Sequence, residues 1–214
     1  IGYSLLMYLV VAPDAPDGTD PLSVAGNIAG WVDRQWLPGT FACGSFDPEG
    51  LLSTLPAIVS ALFGMFTGEF LLRKRSSLSG EQIALCMALA AVAITVIGII
   101  WNCWIPINKK LWSSSFTCVV TGYSLGLFAL FYYLIDVRGW KRWTFFFRVI
   151  GLNSITIYLA QRIVGFGGIA NFFFGGAASH CPEAIARVIS NAGYVAICWL
   201  FLYFLYRKST FLKV

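Results

Sequence analysis

The sequence predicts an all-α polytopic membrane protein: a helical bundle of about five complete transmembrane helices, with a partial one at the N-terminus. The first observation is that apolar residues gather in runs close to the roughly 20 residues a helix needs to cross a bilayer. The second is composition, 58% hydrophobic and 12% charged, against about 25% charged in soluble domains. The third is a mean hydropathy of +0.74. The net charge of +5 is dispersed with no arginine-rich tract, which argues against nucleic acid and leaves the lipid bilayer as the first partner. Residues 1–214 read as a single transmembrane domain.

Ile1 to Ala12 is apolar but too short to span, and reads as the end of a helix whose beginning precedes this sequence. Residues 13–46 form a polar loop with Pro13, Pro16, Pro21 and Pro38 and a weakly amphipathic piece from Leu22 to Trp36, whose Trp31 and Trp36 suit a membrane interface. Leu51–Leu72 is the first complete span, closed by Arg73-Lys74-Arg75, with Glu69 placed to pair with Arg73. Gln82–Trp101, Leu111–Ile135, Thr144–Ile163 and about Ile185–Tyr206 are the other four. A Gly- and Phe-rich loop separates the last two. Gly64–Gly68 and Gly122–Gly126 are GxxxG pairs, which mark close helix contact within the chain or in a homodimer.

Lysine and arginine set the orientation. With Arg73–Arg75 cytoplasmic, that side also gains Arg138, Lys141, Arg142, Arg148, Arg207, Lys208 and Lys213, ten in all. The other side has Arg34, Lys109, Lys110, Arg162 and Arg187, five in all. The positive-inside rule therefore places the 13–46 loop outside, as an extracytoplasmic segment. Cys43, Cys103 and Cys181 fall on that side, where one disulfide among them is compatible with the compartment and no pairing is preferred. Cys86, Cys118 and Cys198 read as small hydrophobes within spans.

Three stretches carry chemistry. In Asp47-Pro48-Glu49, Asp47 reads as a helix N-cap, Pro48 as the first helical residue, and Glu49 as a carboxylate at the positive end of the dipole. The same residues place two carboxylates at the outer face. In Ile105–Ser113, Asn108 is a good cap, but Lys109 and Lys110 oppose the dipole and sit on the side lysine avoids. Broken local rules of that kind concentrate at functional sites; the plainer readings are snorkelling or pairing with Asp47 and Glu49. In the fourth span, Asn153, Ser154, Tyr158, Gln161 and Arg162 share one side of a helix, and a polar stripe at membrane depth must face protein or water. His180, the single histidine, lies beside Pro182 with nothing at metal-ligand spacing, so no metal is expected.

Read together, Asp47-Pro48-Glu49-Gly50-Leu51-Leu52-Ser53-Thr54, Ile105-Pro106-Ile107-Asn108-Lys109-Lys110-Leu111-Trp112-Ser113 and Asn153-Ser154-Ile155-Thr156-Ile157-Tyr158 resemble the transmembrane acyltransferases related to heparan-α-glucosaminide N-acetyltransferase. Asp136-Val137-Arg138-Gly139 and Leu205-Tyr206-Arg207-Lys208 match as well, and the Leu-Leu-Ser-Thr and Asn-Lys-Lys-Leu-Trp versions are similar to the bacterial branch. The resemblance implies an acyl-CoA-dependent N-acyltransferase in the bacterial inner membrane. There acetyl-CoA on the cytoplasmic side donates an acetyl group to the amine of a glucosamine-type sugar on the far side. It also implies that this chain is the C-terminal half. The family's catalytic histidine precedes everything here, on N-terminal helices that become a partner, and His180 does not match it. Asp47 and Glu49 are then supporting residues that orient that histidine or bind the amine. Asn108, Lys109 and Trp112 become candidates for binding substrate, and Asn153 with Tyr158 for lining the acyl path. A transporter of a small sugar or anion would show similar stripes and opposed helix ends. A non-catalytic assembly module is the reading the GxxxG pairs favour.

Overall fold

Ser53 and Ser113, rather than the polar residues upstream of them, mark where the first and third spans become regular helix. The computed structural model describes residues 1–41 and 43–212 and is all-helical over them, apart from one isolated bridge between Val11 and Asn27. Lys213, counted in the orientation argument, lies outside the described residues. The chain divides into two compact units, residues 1–139 and 140–214.

In the first unit, α1 (Gly2–Leu9) and α2 (Ile28–Trp36) precede three long helices. These are α3 (Thr54–Lys74), α4 (Gly80–Trp101) and α5 (Ser114–Tyr132), the last continued by a π-helical turn over Tyr133–Val137. Each of the three is long and apolar enough to cross a membrane. The expected spans began two residues late on the second helix, and three residues early on the first and third. Polar caps explain two of these shifts. Ser79 accepts the Gln82 amide and Gln82 bonds back to the Ser79 amide, a capping box that starts α4 before its apolar run. Ser113 accepts the Phe116 amide at 3.3 Å and starts α5.

α4 and α5 pack closely because glycines let their backbones meet. A Cβ on Gly122 would lie 2.1 Å from Thr95 Oγ1 and 2.9 Å from the Ala91 carbonyl, and one on Gly98 would lie 2.7 Å from Val119. The Gly122–Gly126 pair is therefore used inside the chain. A Cβ on Gly64 or Gly68 of α3 meets nothing within 4 Å. Ile83, Met87 and Ala129 form the inner core of this unit, with Phe70, Leu71 and Tyr132 around them.

The second unit holds α6 (Thr144–Gly151), α7 (Ser154–Ile163), α8 (Phe166–Ser179) and α9 (Glu183–Arg207). α9 is a span. Here the sequence reading needs correction: Thr144–Ile163 is not one helix, and the Gly- and Phe-rich segment after it is helical. The first break falls at Leu152–Asn153, where Asn153 leaves helical geometry (φ −133°, ψ 33°). Its side chain takes long hydrogen bonds instead, to the Thr210 carbonyl (3.3 Å) and from the Thr156 hydroxyl (3.3 Å). The second break falls at Val164–Gly165, so that α7 and α8 bend by 81°, the form of a broken span or a re-entrant loop. Phe174 of α8 packs on Gly193 of α9, leaving no room there for a Cβ (2.5 Å). α6 is fixed by aromatics: Phe146 stacks on Trp199 at 5.6 Å, and Trp199 on Tyr203 at 5.1 Å.

Candidate functional site

The Asp-Pro-Glu segment does not open α3. It forms a separate turn above it: the Asp47 carboxylate accepts the Glu49 amide at 2.9 Å, and the Gly50 amide reaches the Asp47 carbonyl at 3.1 Å. Residues 51–53 continue as turns, and the Ser53 and Thr54 hydroxyls both bond the Gly50 carbonyl (3.0 and 2.9 Å) before α3 begins. Glu49 is exposed and Asp47 half-buried, so Glu49 does not sit at the dipole end of α3.

The reason is a residue the sequence reading passed over. Asp33, on α2, is 1% exposed. Its Oδ1 accepts the Leu51 amide at 3.0 Å and its Oδ2 the Asp47 amide at 3.4 Å, so one buried carboxylate holds both ends of the turn. Gly50 lies against it: a Cβ there would be 2.2 Å from Oδ2. Asp33 stands in the second half of α2, where the helix dipole disfavours an anion, so the amides supply the compensation. The available signal was its position. At 100° per residue Asp33 shares an arc of about 140° with Ile28 and Ala29, and all three are buried.

α2 itself is well anchored. Asn27 caps it by accepting the Gly30 amide at 2.6 Å and donates to the Ser23 and Val24 carbonyls. Arg34 makes a bidentate pair with Asp14 and donates to the Ser45 carbonyl at 2.8 Å. The exposed geometry of that pair makes it a modest contributor, ~0.2–1 kcal/mol.

The second stretch forms its own turn above α5. Asn108 Oδ1 accepts the Lys110 amide at 2.9 Å and the Leu111 amide at 3.4 Å, and the Asn108 amide donates to Ser113 Oγ at 3.0 Å. Asn108 thus caps this turn and not a long helix, and the amides it accepts are not open for another ligand. Lys109 and Lys110 are exposed, and neither forms an ion pair among the described residues. Trp112 carries φ +49°, a left-handed backbone that non-glycine residues adopt at a cost of order 1–3 kcal/mol and that clusters at functional sites. Its indole N–H is buried without a partner, and its ring meets Phe116 edge-on at 5.6 Å.

The structure brings these two stretches together. Met7, Ile28, Ala29 and Leu111 form one buried cluster against which Leu52 packs. Tyr3 on α1 donates to the Leu111 carbonyl, and Ser4 bonds Ser114. A small cavity of about 50 Å³ opens among Tyr3, Ser4, Leu22, Pro106, Asn108 and Ser114.

Asn153 and Tyr158 belong to the second unit. Asn153 is 2% exposed and committed to the bonds given above, whereas Tyr158 is exposed, as are Ser154, Gln161 and Arg162. His180 ends α8, with its ring nitrogen 2.7 Å from the Gly176 carbonyl. No group of His, Cys, Asp and Glu able to hold a metal occurs among the described residues, and Cys43, Cys103 and Cys181 are free thiols.

The orientation is testable by labelling. In a background without native cysteines, Asp47→Cys and Lys109→Cys should react with an impermeant maleimide from outside the cell, and Lys74→Cys should react only after permeabilisation. Outside labelling at position 74 would invert the topology.

No family model matches the chain. It is similar to heparan-alpha-glucosaminide N-acetyltransferase of Mus musculus and of Homo sapiens, 29% identical to each over 88% of this chain. The chain spans about 30% of the length of these relatives.

Proposed function

We propose that this chain is the C-terminal, acceptor-binding half of a membrane acetyltransferase that modifies the amine of a glucosamine-type sugar. On this reading it belongs to the bacterial branch of the family and lies in the cytoplasmic membrane. The similarity to the two acetyltransferases supports the chemistry. The single structural observation that carries the acceptor site is the meeting of the carboxylate turn and the lysine turn on one buried cluster at the same end of α3 and α5.

Acetyl-CoA, as the second substrate, would supply an acetyl thioester. The amine nitrogen bonds to the thioester carbonyl carbon, the carbon–sulfur bond breaks, and CoA leaves as the thiol with a proton taken from the amine. The chain's own residues bind and orient. Glu49, exposed on a turn that Asp33 fixes, holds the sugar's ammonium, with Asp47 beside it. Lys109 holds an anionic substituent, and Asn108 and the Trp112 indole N–H hold acceptor oxygens. On the second unit, taken by itself, Tyr158 is exposed and available to the acyl donor, while the buried Asn153 holds the break before α7. The base that removes the proton comes from a histidine on helices outside this chain.

The test is acetyl transfer to glucosamine in membranes carrying the protein with those helices. Glu49→Gln is expected to raise KM for glucosamine about tenfold, equivalent to roughly 1.4 kcal/mol, with KM for acetyl-CoA little changed. Unchanged KM for glucosamine would remove Glu49 from the acceptor site.

A second reading, transport, has one observation in its favour: the 81° break between α7 and α8, since discontinuous helices form substrate sites in transporters. Saturable sugar uptake into proteoliposomes without acetyl-CoA would establish it.

A further inference from the structure

Below the acceptor site the first unit holds a cleft that the chemistry above does not use. One cavity of about 420 Å³ lies among Leu55, Pro56, Phe63, Trp101, Thr117 and Cys118. A second of about 320 Å³ continues from Phe63 along Gly64 and Gly68 of α3 and Thr121, Ser124 and Phe128 of α5. Between Ser114 and Phe128 the α5 wall is about 21 Å long, some two thirds of the roughly 30 Å hydrocarbon core. The lining is mostly apolar, and the cleft is open at the two glycines, where a Cβ would meet nothing within 4 Å.

One polar group in it stands out. Thr117 is 3% exposed, yet its hydroxyl has no hydrogen-bond partner. Other hydroxyls in these helices satisfy themselves: Ser60 on Pro56, Thr67 on Phe63 and Thr95 on Ala91, each through the carbonyl one turn earlier. An unpaired buried hydroxyl is destabilising, and a bound ligand's polar atom would satisfy it. Thr117 lies four residues past the Ser113 cap, about 6 Å below the start of α5. A ligand that meets it has its polar linkage at that depth and its chain below.

The mouth of the cleft adjoins the small outer cavity, since Tyr3 and Ser114 line both. Leu55 and Pro56 follow the turn bearing Asp47 and Glu49, and Ser114 follows the turn bearing Asn108 and Lys109. We infer that the acceptor is a lipid-anchored amino sugar. Its amine lies at Glu49, its linkage at Thr117, and its hydrocarbon anchor in the α3–α5 cleft, entered sideways from the bilayer. The headgroup part rests on the amine-acceptor reading above; the anchor part rests on the cleft.

The experiment uses nanodiscs and a dodecyl glucosaminide carrying a diazirine in its alkyl chain. Photolabel is expected on Thr54–Lys74 and Ser114–Tyr132. Dodecyl glucosaminide should displace it at concentrations at least about tenfold lower than either dodecyl glucoside or free glucosamine. Gly64→Leu, which fills the cleft, and Thr117→Val should each lower labelling several-fold, and Thr117→Ser should restore it. Equal displacement by dodecyl glucoside, absence of label on both helices, or spontaneous disulfide cross-linking of Gly64→Cys between two copies would overturn the inference; the last result would make this face a dimer contact. Acetyl transfer is scored separately. Specific labelling without turnover would keep the anchor site and defeat the enzyme reading, whereas equal KM for glucosamine and dodecyl glucosaminide would defeat the anchor site and keep the enzyme.

Discussion

Gly50→Ala should disable the outer face of this protein. The backbone there needs no left-handed φ, so the requirement for glycine is one of space: the added Cβ would lie 2.2 and 2.3 Å from the two oxygens of Asp33. Asp33 cannot yield easily, because it is buried on a helix held by the Asn27 cap and the Arg34–Asp14 pair. Overpacking at such a site costs typically ~1–3 kcal/mol. Here the movement that relieves it also breaks the hydrogen bonds to the Asp47 and Leu51 amides. We expect a lowered midpoint of thermal inactivation and a loss of most acceptor-dependent activity. Gly44→Ala supplies the contrast. It is strained by its positive φ but meets nothing within 4 Å, so it should spare the acceptor site. Equal behaviour of the two variants would mean that Gly50 is not pressed against Asp33.

Asp33→Asn should be nearly as damaging as Asp33→Ala. Each carboxylate oxygen accepts a different amide, so an asparagine would satisfy one amide and present its own N–H groups to the other. Each buried amide left without an acceptor costs on the order of 1–3 kcal/mol. The turn bearing Asp47 and Glu49 should then loosen. Reactivity of Glu49→Cys with a maleimide, compared with and without Asp33→Asn, reads this directly, and a faster reaction in the double variant is expected. An unchanged rate with normal thermal stability would show that the turn holds its shape without the carboxylate.

Much of the scaffold was legible because apolar length is a strong signal. The helices α3, α4, α5 and α9 fall within three residues of the apolar runs that predicted them at each end. Their precise starts were less legible, since side-chain caps such as Ser79 and Ser113 decide them and several polar residues compete at each boundary. The break at Asn153 was hidden for a related reason. A helical period across Thr144–Ile163 looks continuous, and only tertiary bonds to Thr210 and Thr156 reveal that Asn153 is better satisfied outside a helix. The segment from Phe166 to Ser179 was misread because glycine lowers helix propensity, whereas packing of Phe174 on Gly193 supports the helix.

At the site, the prominent carboxylates were visible and the one that organises them was not. Asp47 and Glu49 drew attention by their adjacency to Pro48 and the following apolar run. Asp33 lies amid loop residues, and its partners are backbone amides 14 and 18 residues away, which no local pattern shows. Trp112 shows the same limit. Its left-handed backbone and unpaired indole N–H follow from the turn around Asn108 and from no feature of the residues beside it in sequence.

The central claim is that an amine acceptor binds at the face bearing Asp47, Glu49 and Lys109 while the acetyl donor is drawn from the opposite, lysine- and arginine-rich face. The most direct measurement uses proteoliposomes of uniform orientation carrying the protein with the histidine-bearing helices proposed above. Acetyl-CoA is supplied only on the face bearing Arg73–Arg75 and glucosamine only on the other. The account predicts N-acetylglucosamine accumulating on the glucosamine side, with free CoA released on the donor side and no acetyl-CoA crossing. Product formed only when both substrates share one side, or glucosamine crossing the membrane unacetylated, would contradict it.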